Sequence, residues 1–431
     1  MRTPRVVFLF GNTAEHNSRA QRMARTLGEA GCEVTLVARA GPGLPRTEAR
    51  HGYQIVRVPP PRGPRWLPTP GLSPTETGSR TRAAVREGPG RLAQAFRFLF
   101  LARAWAEAVV RAVPPADVWQ ADGLVMLPVA LELRRRLGGR VVYDSLEIHV
   151  ESGGFARLPG PWKRLLGGRE RAWARAADAV ITVSRAYAEV IAARLGVEPV
   201  VVMNCPPAPP PAERSPADAA TSTPSRTRRF HQLLALPPDV SVVLYQGYVF
   251  PHRGIERLFE ALAWVPKAHL VVLGFGPRFD EYAALAGSLP HADRLHVIPG
   301  VPPEELLDWV AAADVAAMPI EGNTLNHRLT TPNKLFEAMS AGVPVVASDL
   351  PGMAAIIRET GAGVLCDPQD PTDIARAIRS ILEAAPAERA ALRERALAAA
   401  RSTYNWERQA QAYLGVYRLL GLPIQGAADE S

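Results

Sequence analysis

The stretch TTPNKLFEAMSAGVPVVASD, Thr330 to Asp349, reads as a loop, a helix and a buried strand in close order. Thr331 is a good N-cap, Pro332 suits the first helical position because its missing N–H would have no partner there, and Gly342 can close the helix in a left-handed conformation. These positions predict a helix of about three turns from Pro332. Its free N–H groups and the positive end of its dipole form an anion site, and Lys334 adds a full charge to it. A diphosphate suits such a site. Lys334 and Glu337 stand three apart and share a face, while Leu335, Ala338 and Met339 supply the apolar stripe that docks the helix on a sheet. A carboxylate there can accept hydrogen bonds from two vicinal hydroxyls, as a ribose or hexose offers, without touching the phosphates.

Outward from this stretch, strands and helices alternate. RVVFLFG (5–11), a helix over 18–30, EVTLVARA (33–40) and YQIVRVP (53–59) open the chain, and DVWQAD, RVVYDS, AVITVS and PVVVMNC follow from Asp117, Arg140, Ala179 and Pro199. Near-continuous apolar strands separated by helices imply a parallel sheet covered on both faces. Residues 206–229, PPAPPPAERSPADAATSTPSRTRR, are low in complexity and cannot bury a core. A second α/β series begins near Phe230 with VSVVLYQG, HLVVLGFGP, RLHVIPGV and VAAMPIEG. At 431 residues the chain suits two domains of about 200 residues each.

The central segment resembles the donor-binding segment of the large retaining glycosyltransferase family 4, in its PNKLFE variant. The resemblance implies the GT-B architecture: two α/β, Rossmann-like, doubly wound parallel-sheet domains facing a cleft, with a sugar nucleotide held by the C-terminal one. On that pattern residues 1–205 form the acceptor-binding domain, 206–229 a linker and 230–404 the nucleotide-sugar domain. A C-terminal helix in 405–431, WERQAQAYLGVYRLLG, crosses back to the first domain.

The family's loop after the first strand of the second domain carries a basic residue that pairs with the donor diphosphate. Arg253 matches it, with Gly247 allowing close approach of the backbone. Gly274 and Gly276 of GFG make a third phosphate-compatible turn on the same sheet edge, weak evidence alone because any tight turn uses glycine. The strand RLHVIPGV resembles the one that flanks the nucleotide base. Asn326 and Arg328 precede the central helix, where Pro332, Asn333, Lys334, Leu335 and Glu337 complete the expected donor site. Arg253, Lys334 and Glu337 are the expected catalytic set. Most members have a second acid eight residues before the one matching Glu337; here Leu329 stands there, as is common in the PNKLFE variant, and Asn326 or Asn333 are candidates to replace its sugar contact.

On the acceptor side, Gly11 ends the first strand at the sheet edge where doubly wound sheets bind ligands. The following NTAEHNSRAQRMA resembles the family's HDSRV-type loop, with Arg19 at its arginine and Asn17 in place of the acid. VVYDSLEIHVESGG resembles the YDxHE segment. Leu146 replaces its His, so the His role does not transfer by position; Asp144 and Glu147 remain to orient an acceptor hydroxyl, and His149 lies three residues beyond Leu146, as open to a structural role as to a functional one.

Glycosyl transfer from a sugar nucleotide needs charge stabilised on the departing diphosphate, from fixed donors or from a divalent metal. The sequence has no D-x-D pair of the kind that holds such a metal, so Arg253, Lys334 and the helix end are expected to act without metal or other cofactor. The resemblance implies retention of anomeric configuration through front-face attack. The expected partners are a nucleotide-sugar donor and a hydroxyl acceptor, a lipid-linked one included, in glycolipid, polysaccharide or cell-envelope glycan synthesis. Two other classes stay open: a GT-B sugar-nucleotide epimerase, for which no set of cleft acids and bases can be assigned, and a catalytically silent nucleotide-sugar-binding subunit, which Leu146 and Leu329 allow.

Composition narrows the rest. The chain is 47% hydrophobic and 21% charged, as in ordinary globular proteins. Cys32, Cys205 and Cys366 lack metal-ligand spacing and read as reduced core thiols of a cytoplasmic protein. MRTPRVVFLFG runs straight into a strand without the regions of a signal peptide, and no apolar run reaches about 18 residues. The net charge of +8 fits a phosphorylated substrate or an anionic membrane surface. Nucleic acid is excluded as a partner because the basic residues are scattered and the aromatics too few for stacking platforms. Arg62, Arg65, Arg80, Arg82 and Arg86 lie in an aperiodic stretch before RLAQAFRFLFLARAWAEAVVRAV (91–113). That pairing admits peripheral association with an anionic membrane, against the leading alternative of a helix packed on the sheet with solvated arginines.

Overall fold

The computed structural model describes residues 2–15, 17–59, 90–152, 155–210 and 228–425, with side chains unassigned over 90–100 and at Arg157. Residues 60–89, the expected arginine-rich loop, and 211–227, most of the expected linker, lie outside the described residues. The described chain divides into two compact units. One holds the residues up to Asn204 together with those from Arg408 onward; the other holds Cys205–Glu407.

In the first unit the strands are β1 (Arg5–Leu9), β2 (Glu33–Arg39), β3 (Thr47–Arg50), β4 (Tyr53–Val58), β5 (Val118–Asp122), β6 (Arg140–Ser145), β7 (Ala179–Thr182) and β8 (Val200–Val201). They form one sheet in the order β3-β4-β2-β1-β5-β6-β7-β8. All pairs are parallel except β3 with β4. The sequence reading did not foresee β3. Its TEAR has no apolar run because it is an edge strand whose charged side chains face water, a common guard against edge-to-edge pairing. The order reverses between β1 and β5, which opens a crevice beyond their carboxyl ends.

Helices α1 (Ser18–Glu29), α2 (Gly90–Ala112) and α3 (Gly123–Leu137) follow β1, β4 and β5 in the chain. The second half of α2 buries Ala102, Trp105, Ala106 and Val109 and leaves Arg103 and Arg111 exposed, the pattern of a helix packed on its own domain.

The second unit holds β9 (Ser241–Tyr248), β10 (Ala268–Phe275), β11 (Leu295–Pro299), β12 (Val315–Met318), β13 (Val345–Ser348) and β14 (Gly363–Cys366), all parallel, in the order β11-β10-β9-β12-β13-β14. This is the doubly wound order 3-2-1-4-5-6, with its switch point between β9 and β12. A core cluster on one face of this sheet joins it to the helices that cover that face through residues such as Val243, Tyr245, Leu270, Val272, Val315, Val346 and Ile378. Helices α4 (Ile255–Ala261), α5 (Leu325–Arg328) and α6 (Asn333–Ser340) frame the switch point.

Helix α6 is shorter than its sequence suggests. Pro332 is its N-cap rather than its first helical residue, in an extended conformation, and no side chain caps the helix. Thr331 is not the cap, and its Oγ1 is buried without a hydrogen-bond partner. Eight residues, not three full turns, carry the motif. Gly342 does adopt a left-handed conformation just past the end, at φ 64. A last helix, α7 (Trp406–Leu419), starts beside the second unit, where its Trp406 N–H donates to Pro206 O at 2.8 Å. From Arg408 it belongs to the first unit.

Candidate functional site

The second unit's crevice is built from β9 and α6. Gly247, the next-to-last residue of β9, has φ 112, and a Cβ there would sit 3.6 Å from Lys334 Cε and 3.7 Å from Nζ. Lys334 lies across the open end of this strand, its ammonium 3.5 Å from the centre of the Tyr245 ring. Nζ is buried and has no hydrogen-bond partner. Burial and the nearby Arg253 guanidinium push the Lys334 pKa well below its ordinary value, against the opposing pull of Glu337. The Nε of Arg253 is likewise buried without a partner. Two cations thus converge where nothing of opposite charge neutralises them fully. That arrangement is costly unless an anion enters.

The loop that carries Arg253 is tied down. His252 takes a left-handed backbone conformation, φ 65, which is uncommon outside glycine and marks local strain. Its Nδ1 lies 2.8 Å from Glu321 Oε2, and the Glu321 N–H donates to His252 O at 3.2 Å. Gly254 packs so closely on the loop after β12 that a Cβ would come within 2.0 Å of Pro319 O. The two loops flanking the switch point are therefore stitched together, with Arg253 between two fixed residues.

Glu337, half-buried on the Lys334 side of α6, accepts a hydrogen bond from Gln246 Nε2 at 3.2 Å. Gln246 is only 2% exposed, a buried polar residue near the end of a mostly apolar strand. Leu335 is fully buried beneath the helix, while Asn333 is exposed and Pro332 half-buried at its start. Asn326 and Arg328 sit in α5, which Thr324 caps by accepting from His327 N at 3.1 Å. Asn326 is half-buried and Arg328 exposed. Leu329 is buried, so the position of the absent acid serves apolar packing. A Cβ at Gly274 would meet Gly247 O at 2.1 Å, and one at Gly276 would meet Val249 O at 2.4 Å. The close approach of β9 and β10 by itself demands glycine at both.

In the first unit, Gly11 is exposed beyond β1, and Asn17 caps α1 by accepting from Ala20 N at 3.0 Å. Arg19 is buried and forms a two-pronged pair with Asp144, each N···O distance 2.9 Å, and also donates to Val202 O. Both Asp144 oxygens are engaged by this guanidinium. Glu147 accepts from the Ser152 hydroxyl. His149 is held at the start of α3, its Nε2 accepting from Leu124 N at 3.2 Å, so a neutral ring carries its proton on Nδ1.

The sequence reading missed Asp122. It ends β5 directly opposite Asp144 of β6. Burial, Asp144 and Glu147 push its carboxyl up to about 8, against Arg19 and a hydrogen bond from Asn17. A carboxylic acid that keeps its proton at neutral pH therefore sits among the expected acceptor-side residues. An acid closing a strand at a switch point was its available signal; a Gln near the end of another was that of Gln246.

The two units together define a class: paired doubly wound α/β domains, the second with a cationic crevice at its switch point. Residues 227–399 match the family described as glycosyl transferases group 1, and residues 16–208 match the glycosyl transferase 4-like domain. The chain belongs to this family of glycosyltransferases and has the GT-B fold. Among its relatives, D-inositol 3-phosphate glycosyltransferase of Acidothermus cellulolyticus is 31% identical over 61% of this chain and 57% of its own length. That of Xylanimonas cellulosilytica is 32% identical over 60% of this chain and 61% of its own length, so these matches span under two thirds of either relative. The 2-deoxystreptamine glucosyltransferase of Streptomyces kanamyceticus is 26% identical over 84% of this chain and 88% of its own length. The fold resembles sucrose-phosphate synthase of Thermosynechococcus elongatus, with TM-score 0.70 and 20% identity over 97% of this chain and 99% of that one. It also resembles Anabaena HepE in complex with UDP, with TM-score 0.66 and 16% identity over the same shares.

Proposed function

We propose that the protein transfers a glycosyl group from a nucleoside-diphosphate sugar to a hydroxyl acceptor. The observation that carries this reading is the pair of buried cationic groups, Lys334 Nζ and Arg253 Nε, that lack hydrogen-bond partners at the β9/β12 switch point. An incoming diphosphate supplies the missing acceptors. As the glycosidic bond breaks, negative charge on the leaving diphosphate rises, so donors fixed in advance stabilise the transition state more than the ground state; removing one costs about 3 kcal/mol in typical cases. Glu337, aimed by Gln246, accepts from the ribose hydroxyls. The acceptor-side set comprises Asp122, Asp144, Glu147 and His149, with Asn17 and Arg19 holding Asp122 and Asp144. The complexes of HepE with UDP and with UDP-glucose support a nucleotide-sugar donor for this fold.

Retention of configuration, activity without a divalent metal and an acceptor in cell-envelope or lipid-linked glycan synthesis belong to the same proposal. The metal-free reading rests on the cations and on the absence of a D-x-D pair in the sequence. Among the described residues no helix is long and apolar enough to cross a membrane; a peripheral association at the inner face, if the acceptor is lipid-linked, would run through 60–113. The test is release of nucleoside diphosphate from UDP-, GDP-, ADP- and dTDP-sugars, with and without EDTA. Turnover of at least one donor, unaffected by EDTA, is expected. No binding or turnover of any donor overturns the function, and loss with EDTA that magnesium or manganese restores overturns the metal-free mechanism.

A further inference from the structure

Helix α6 offers Lys334 and Glu337 to the crevice, yet an eight-residue helix with no side-chain cap has little of its own to aim them. The aiming groups lie in β9, in two consecutive residues. We propose that Tyr245 and Gln246 are positioning residues of the donor site, Tyr245 holding the Lys334 side chain across the strand end with its ring face and Gln246 orienting the Glu337 carboxylate. The inference rests on the donor-site reading above and deepens it.

A carboxylate beside Lys334 would hold the amine in place, but it would occupy one or more of its N–H donors and compete with an arriving phosphate. An aromatic face attracts the cation through its quadrupole and accepts no conventional hydrogen bond. The ammonium lies 3.5 Å from the ring centre with its donors unengaged. The ring itself cannot swing away: Tyr245 is wholly buried, and its hydroxyl donates to Tyr248 O at 3.0 Å. Gly247, two residues on, takes a backbone conformation, φ 112, that favours glycine, and the lysine side chain lies beside it. Gln246 works differently. It is buried, it donates from Nε2 to Glu337 Oε2, and as a neutral amide it fixes the acid without neutralising it. Lys334 and Glu337 are held from the same strand, by adjacent residues, through two chemistries.

The ring also bears on charge. Burial and Arg253 both disfavour the protonated amine, while Glu337 opposes them and the ring face favours it. Binding of an anion must then draw a proton onto any neutral Lys334, so affinity falls with rising pH. Without the ring that fall begins at lower pH.

Calorimetric titration of inorganic pyrophosphate and of UDP, GDP, ADP and dTDP into wild type, Tyr245→Phe, Tyr245→Leu and Gln246→Leu, across pH, tests both halves. Tyr245→Phe is expected to keep the wild-type pH profile. Tyr245→Leu should weaken pyrophosphate roughly tenfold, the order expected for a desolvated cation–π contact, and move the fall in affinity to lower pH; a merely structural role would lower stability without moving the profile. Because the site is buried, pentafluorophenylalanine replacing Tyr245 serves as the second variant, keeping the ring's shape while reversing its face potential, and should behave like Tyr245→Leu. Gln246→Leu should weaken the nucleotide that binds best by roughly tenfold and leave pyrophosphate unchanged. Wild-type affinity and pH profile in both the Leu and the fluorinated variants overturn the role of Tyr245, and equal loss of pyrophosphate and nucleotide in Gln246→Leu overturns that of Gln246. Lys334→Ala is the control that separates the two levels: if it leaves pyrophosphate binding intact, the donor-site reading itself fails.

Discussion

At the residue scale, the candidate site sets stability against function. A lysine whose folded pKa lies below its unfolded value penalises the folded state wherever the unfolded chain holds the extra proton. The penalty is therefore present at neutral pH and fades as pH rises toward the ordinary lysine value near 10.5. Lys334→Met should raise stability at pH 7 by about 1–3 kcal/mol, with the gain shrinking at higher pH, while nucleoside diphosphate binding is lost. Thermal unfolding and calorimetric titration of the same sample check both halves. Asp122 behaves as the mirror case. Its carboxyl is pushed from 3.8 up to about 8, so the folded state binds the proton more tightly than the unfolded one, and stability is lost as pH rises between those values. Asp122→Asn should therefore match wild type below about pH 4 and become more stable by about 1–3 kcal/mol above pH 8. Denaturant unfolding across pH decides it, and a constant difference would place the carboxyl outside the influence of Asp144 and Glu147.

At the scale of elements, the fold was legible where sequence is local. Apolar runs gave most strands of both sheets, the edge strand β3 apart, and PNKLFE brought Lys334 and Glu337 together because three residues on a helix make neighbours. What was not legible depends on strands distant in sequence. Asp122 is unusual only because Asp144 stands beside it, and Tyr245 and Gln246 matter only because α6 lies over the end of β9. The cap of α6 was misread because Thr331 and Pro332 fit either of two adjacent registers. Another long-range pair sits at the opposite end of the second sheet: His269 of β10 and His296 of β11 stack with Nδ1 and Nε2 2.9 Å apart. Burial lowers both pKa values, with Arg294 and His231 adding to the effect at His269, and His269 adding to it at His296; Asp293 opposes it at both. Lowered values mean that the unfolded chain takes up protons first, so the stabilisation is present above about pH 6.5 and is lost as pH falls through the folded values. His296→Asn should flatten stability between pH 7 and 5. Denaturation midpoints at several pH values test it, and an unchanged slope would exclude the pair as its source.

For the whole molecule, the decisive question is whether the two units unfold as one. Among the described residues the chain passes between them twice, near Asn204 and near Arg408, and α7 carries the second passage. Within the first unit α7 is anchored by a buried polar cluster: Tyr413 and Tyr417 each donate to Gln120 Oε1, at 2.7 and 2.5 Å, and their hydroxyls lie 3.0 Å apart. Gln120 stands two residues before Asp122 on β5, so the helix is fastened beside the residues proposed for the acceptor side. Replacing both tyrosines by phenylalanine leaves the Gln120 carbonyl buried without these donors, a change that costs about 1–3 kcal/mol for an unsatisfied group. Nucleoside diphosphate, on the reading given above, stabilises the second unit, by about 2.7 kcal/mol at 100 times its dissociation constant. These two perturbations act on different units. If the units are independent, calorimetry resolves two transitions, the Tyr413→Phe, Tyr417→Phe variant lowers one, and ligand raises the other. If α7 couples them into one cooperative body, a single transition moves down with the tyrosine variant and up with ligand. The division into two compact units, each with its own sheet and core, predicts the first outcome. Ligand that raises the transition lowered by the tyrosine variant would show instead that α7 joins donor binding to the stability of the acceptor-side sheet.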